Sequence, residues 1–241
     1  MSIHFIDQHY CWKTTSLEEF LSTHTPSNWT TFFNTPDVID NIRTISNVLR
    51  YEASHDAVVI YPPINNVFRA LYCTDPDSIK VVIIGQDPYH DGAATGIAFD
   101  VDPSRKQNPS LRNIKKEAVS NGYQATRLLE WTSQGVLLLN TALTVRAKCP
   151  GSHAEIWESV IIKLINFIEK SQPQIVWLLM GSHAHQYEQH IGSSHIVVRT
   201  THPSPLAAAR STKRADAFIG SGCFTQINSH LKKLSRAPIQ F

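Results

Sequence analysis

The sequence predicts a three-layer α/β/α sandwich built on a central four-stranded parallel twisted sheet. Three observations carry that expectation. First, four short apolar runs are bounded by turn residues: "IKVVIIG" at 79–85, "GVLLLN" at 135–140, "QIVWLLM" at 174–180 and "HIVVRT" at 195–200. Their hydrophobicity is continuous rather than alternating, which marks strands covered on both faces. Second, helical patterns alternate with these runs, and alternation of that kind leads to a parallel sheet between helical layers. Third, 241 residues suffice to bury a sizeable core, and no repeat, linker or low-complexity tract divides them. Residues 1–241 are therefore read as a single domain, with residues 1–50 as an N-terminal helical segment.

The helices announce themselves in order. In "NTPDVIDNIRTISNVLRYEAS", Thr35 is the expected N-cap and Pro36 the first helical residue, followed by Val38, Ile42, Ile45 and Leu49 at helical spacing. "PSLRNIKKEAVSNG" is amphipathic and stops at Gly122. "SHAEIWESVIIKLINFIEK" opens with an expected capping box, Ser152 and Glu155, ahead of Ile156, Val160, Ile161, Leu164 and Ile168.

Composition narrows the functional classes. No apolar run approaches the ~20 residues of a membrane span, and the first residues lack the layout of a signal peptide, so a soluble, intracellular protein is expected. The four cysteines, Cys11, Cys73, Cys149 and Cys223, lie more than sixty residues apart, with no short metal-ligand spacing. Reduced thiols are expected, and the spacing argues against an iron–sulfur cluster, although ligands distant in sequence can converge in space. The net charge of +2 hides an asymmetry: residues 1–60 carry seven acids and three bases, whereas residues 199–241 carry seven bases and only Asp216. Arg210, Lys213 and Arg214 in that basic end suit a phosphate-contacting surface, or an ordinary solvated face.

In open parallel sheets, ligands sit beyond the carboxyl ends of the strands. Here those ends lead into "QDPYH", Asn140, "GSH" and "THPSPL", four polar segments on one edge. Taken singly, each residue keeps two readings. Asp87 orients water and stabilises a cation, or closes an Asx-turn. Asn140 offers a donor and an acceptor to a planar ligand, or ends a strand. His202 donates to a developing anion, or makes a structural hydrogen bond. Tyr89 and Phe99 are core or site aromatics. Ser110, Ser182 and Ser204, each beside proline or glycine, contact phosphates or form turns. Leu206 stands out in "THPSPLAAAR", where two prolines stiffen a loop that holds out a leucine.

Together, "GQDPYH" (85–90), "LLLNTALTV" (137–145), "GSHA" (181–184) and "HPSPL" (202–206) resemble the family 1 uracil-DNA glycosylases. "YPPINNVFRAL", "NPSLRNI", "GSHAEIWE" and the terminal "FTQIN" and "PIQF" extend the resemblance over roughly residues 50–241. It implies hydrolysis of the bond between uracil and deoxyribose in single- and double-stranded DNA, without metal or cofactor. Asp87 then matches the catalytic carboxylate and His202 the imidazole that meets the leaving base. Gln86, Tyr89, Phe99 and Asn140 match the residues that bind uracil and exclude other bases. Ser110, Ser182 and Ser204 match the DNA-gripping loops, Arg210 and the neighbouring bases add salt-sensitive attraction to the strand, and Leu206 matches a wedge for the gap left by a flipped nucleotide. A monomer is expected, cytoplasmic on the bacterial-like pattern or in the nucleus or mitochondrion for another source, with a protein inhibitor that mimics DNA and replication or repair proteins as further partners. Three features depart from the common pattern: Ala207 replaces a serine, "QNPSL" has few prolines, and "AATGIAF" lacks a histidine. Two other readings, a noncatalytic DNA-binding subunit and a glycosylase of broader base range, conflict respectively with the presence of Asp87 and His202 and with Tyr89.

Overall fold

The computed structural model describes residues 10–55 and 58–241. Part of the expected N-terminal helical segment, residues 1–9, lies outside the described residues. Strands β1 (Ile60–Tyr61), β2 (Val81–Gly85), β3 (Val136–Asn140), β4 (Val145–Arg146), β5 (Val176–Met180) and β6 (Ile196–Thr200) form two sheets. The larger has the order β3-β2-β5-β6 with every pairing parallel, as the apolar runs predict. The smaller, β1 with β4, is antiparallel and only two residues deep. So short a pair leaves no periodicity in the sequence.

Side chains alternate across the sheet and separate two cores. Val82, Ile84, Leu137, Leu139, Trp177 and Leu179 face helices α1 (Leu17–His24), α2 (Pro36–His55) and α4 (Ala154–Ser171). Val81, Ile83, Val136, Leu138, Val176 and Leu178 face α3 (Pro109–Ser120) and α5 (Cys223–Lys233). This is the predicted three-layer arrangement. Strand β6 departs from the expectation of full cover: it is the sheet edge, and Arg199 lies exposed there in an ion pair with Glu188. A charged residue on an edge strand blocks pairing with another chain.

Of the two capping expectations, Thr35 does precede Pro36, the first residue of α2, whereas the capping box fails for an identifiable reason. Thr35 passes its carbonyl to the amides of Val38 and Ile39, but its hydroxyl donates back to the Thr31 carbonyl at 3.2 Å. The predicted Ser152–Glu155 box does not form: His153 is the N-cap of α4, and the Ser152 hydroxyl accepts from the Arg146 amide at 2.8 Å. A reciprocal box does form at Ser16 and Glu19, ahead of α1. Gly122, at φ +87°, ends α3 as expected. Among the described residues no helix is long and apolar enough to cross a membrane.

Candidate active site

The carboxyl ends of β2 and β3 are in register, Gly85 opposite Asn140. Beyond them the Thr141 amide donates to the Gly85 carbonyl, and the Ala142 amide and Thr141 hydroxyl both donate to the Gln86 carbonyl, all at 2.9–3.0 Å. The Gln86 carbonyl is thus occupied, leaving its N–H and side chain for a ligand. Asn140 is 7% exposed, and its amide has no hydrogen-bond partner among the described residues. A Cβ on Gly85 would lie 2.4 Å from Asn140 Oδ1 and 3.0 Å from Phe99 Cε2, so only glycine admits this approach. Phe99 itself holds φ at +64°, a left-handed conformation rare for a bulky residue. Its carbonyl accepts from the Tyr89 hydroxyl at 3.3 Å, which locks the two aromatics together. Burial, with Asp100 and Asp91 nearby, raises the Tyr89 phenol and keeps it protonated.

Asp87 follows at the same edge. Its Oδ2 accepts from the Gly151 amide at 2.6 Å. Burial raises its carboxyl above the ordinary value, while the Gly151 N–H and the His90 and His183 imidazoles pull it down. Gly151 was not singled out from sequence, although "PG" marks a turn. Its loop is held from behind by a buried chain of polar groups. The Trp157 indole donates to Thr144 Oγ1 at 2.7 Å, Thr144 Oγ1 lies 2.8 Å from His153 Nδ1, and His153 Nε2 lies 2.9 Å from Glu52 Oε2. The Glu52 carboxylate can only accept, so His153 presents Nε2–H to it, and in the neutral ring Nδ1 accepts from the Thr144 hydroxyl. Arg146 pairs with the other Glu52 oxygen. Burial alone would raise Glu52, but Arg146 and His153 hold it below the ordinary value. Burial lowers His153, consistent with a neutral ring.

His202 sits after β6, its ring centroid 5.9 Å from that of Phe99. Burial, reinforced by His183, lowers its pKa and favours the neutral imidazole. The Ser204 amide donates to Nδ1 at 3.1 Å, which leaves the proton on Nε2. Gly181, at φ +92°, passes so close that a Cβ there would lie 2.9 Å from His202 Cβ.

Ser182, His202, Ala207, Lys213 and Arg214 line one cavity of about 550 Å³. Ser110 is the second residue of α3, and Ser204 turns its carbonyl to the Ala207 and Ala208 amides. Arg210 is exposed. Leu206 is 84% exposed, the most exposed large apolar side chain among the described residues. Among the described residues, no group of three or more His, Cys, Asp or Glu side chains could hold a metal ion.

The geometry thus combines a half-buried carboxylate, a neutral N–H donor and an amide-bearing aromatic slot, and known proteins resemble this chain in sequence and fold. The family model described as "Uracil DNA glycosylase superfamily" matches residues 73–231. The uracil-DNA glycosylase of Oleidesulfovibrio alaskensis is 41% identical over 196 residues, covering 75% of this chain and 81% of that protein. That of Bacillus subtilis is 40% identical over 189 residues, covering 76% and 81%. The crystal structure of mimivirus uracil-DNA glycosylase superposes with a TM-score of 0.85 at 25% identity, covering 95% of this chain and 90% of that one. A variant of mimivirus UNG in complex with UGI gives a TM-score of 0.84 at 26% identity. The chain belongs to the uracil DNA glycosylase superfamily.

Proposed function

We propose that Asp87 and His202 carry the glycosylase reaction of this chain from opposite sides of a uracil held by Phe99 and Asn140. The reaction is hydrolysis of the N-glycosidic bond of uracil in DNA, releasing the base and leaving an abasic site. As the bond breaks, the sugar gains positive charge and the base negative charge. The Asp87 carboxylate meets the first and positions water; the Nε2–H of neutral His202 donates to the uracil oxygen that takes up the second. Preorganised groups of opposite polarity lower such a barrier without a covalent intermediate. The observation that carries this reading is a pair of hydrogen bonds: the Gly151 N–H donates to the Asp87 carboxylate at 2.6 Å, and the Ser204 N–H donates to His202 Nδ1 at 3.1 Å.

Base selection rests on shape and pairing. Tyr89 stands as the wall where a thymine methyl would clash. The Asn140 amide pairs with uracil, while cytosine would reverse its donor and acceptor and leave buried groups unpaired, at about 1–3 kcal/mol each. Phe99 stacks on the base and the Gln86 N–H supplies a backbone donor. A base inside a duplex reaches this pocket only by flipping out, at a cost of roughly a few kcal/mol. Ser110, Ser182, Ser204 and Arg210 grip the strand, Lys213 and Arg214 attract it, and Leu206 fills the gap.

We also read residues 1–241 as one domain acting as a monomer in the cytoplasm, a reading supported by bacterial relatives of similar extent. The UGI complex of the mimivirus variant supports a protein inhibitor as a partner of this chain. The deciding experiment incubates the protein with uracil-containing single-stranded DNA in EDTA and probes for abasic sites. Uracil release is expected; well-folded protein that leaves the DNA intact would refute the reading.

A further inference from the structure

Leu206 poses a mechanical problem. Being 84% exposed, it has almost no packing to fix its direction, yet a wedge works only if it stays pointed at the stack. The two prolines restrict only their own surroundings, and the rest of the restraint comes from elsewhere in the chain.

One face of α3 supplies it. Ser110, Asn113 and Glu117 recur at i, i+3 and i+7 and so share a stripe of the helix. Asn113 Nδ2 donates to the Pro203 carbonyl at 2.8 Å, fixing the entry to the leucine loop. Glu117 is 1% exposed, and its carboxylate accepts from the Gly220 amide at 2.7 Å and the Gly222 amide at 2.9 Å. Both glycines have positive φ, +82° and +65°, so the turn wraps its N–H groups around the acid. The strap leading into that turn binds the loop exit: the Ile219 amide donates to the Ala208 carbonyl at 2.9 Å. The Phe218 amide donates to the Thr201 hydroxyl, which itself donates to the Ala207 carbonyl, both at 3.0 Å.

We infer that Asn113 and Glu117 are positioning residues for Leu206: they clamp the two ends of its loop to the same helix that carries Ser110. The inference rests on the reading of Leu206 as the wedge. Its consequence is that grip and wedge form one rigid unit, so a pull on the phosphate at Ser110 is transmitted to the leucine. Glu117 does not touch the reacting atoms.

The test is a double-mutant cycle in kcat/KM on duplex and single-stranded uracil DNA. Glu117→Gln puts an amide NH2 against one of the two backbone donors. It should lower the duplex-to-single-strand activity ratio by about 10-fold, the scale of a lost charged hydrogen bond. Made on top of Leu206→Ala, it should cost almost nothing further on duplex, since the residue it positions is gone. Equal losses on both substrates, or a full additive loss in the Leu206→Ala background, would overturn the inference. Asn113→Ala, whose side chain is only partly buried, carries the same test should Glu117→Gln not fold. Wild-type protein inactive on both substrates would instead refute the glycosylase reading.

Discussion

The base pocket and the leucine loop lie at the same edge of the sheet but are held by different forces. In the pocket, strands buried on both faces fix Gly85 opposite Asn140, and close packing settles Phe99 against both. In the loop, a chain of hydrogen bonds from α3 and from residues 216–222 does the holding, while the Leu206 side chain, the proposed wedge, stands in water. Chemistry on a flat, small base needs tolerances that close packing supplies. Insertion into a stack needs a side chain with nothing yet around it.

Substitutions should divide along that line. The largest effect is expected from Asp87→Asn, which removes transition-state charge while leaving the contacts to DNA: turnover should fall by about 10²–10⁴-fold with little change in the dissociation constant. Equal loss of binding would contradict its role. In the wild type the same group sets a pH sign. Because burial raises its pKa, activity is lost on acidification while the pH is still above the ordinary carboxylate range, and protonation of His202 acts in the same direction. A rate that rises toward acid would rule out the ionised Asp87 and neutral His202.

Gly85→Ala attacks the pocket by packing alone. Its Cβ would collide with Asn140 and Phe99, and overpacking of this kind costs about 1–3 kcal/mol. Thermal melting and inhibition by free uracil should both weaken, and an unchanged uracil affinity would place the base elsewhere. On the loop side, Leu206→Ala should leave the melting temperature intact and lower activity on duplex by about 10-fold more than on single strands. The smallest effect belongs to Lys213→Ala with Arg214→Ala. If each neutralises one phosphate, the salt dependence of single-strand binding should flatten by about 0.7 in the log–log slope per contact. An unchanged slope would remove both from the DNA path.

The same contrast explains what the sequence made legible. Strand runs are continuous in the chain, so β2, β3, β5 and β6 could be read directly, and the strand-end rule then led to Asp87, Asn140 and His202. Gly151, Glu52 and Glu117 escaped because their partners are distant in sequence. Glu117 reads as a solvated position of an amphipathic helix until Gly220 and Gly222, 103 and 105 residues later, close around it. Ser152 misled for a related reason: its hydroxyl fits a capping box locally, but the backbone of Arg146 claims it.

The wet leucine also has a calorimetric consequence. Burying such a side chain is worth about 1.5–3 kcal/mol, and folding of the free protein leaves nearly all of it unrealised. On the proposed wedge role, that free energy becomes available only when a base stack opens to receive the leucine. Association with duplex should therefore show a more negative heat-capacity change than association with a single strand, because only the duplex gives Leu206 a place to dry.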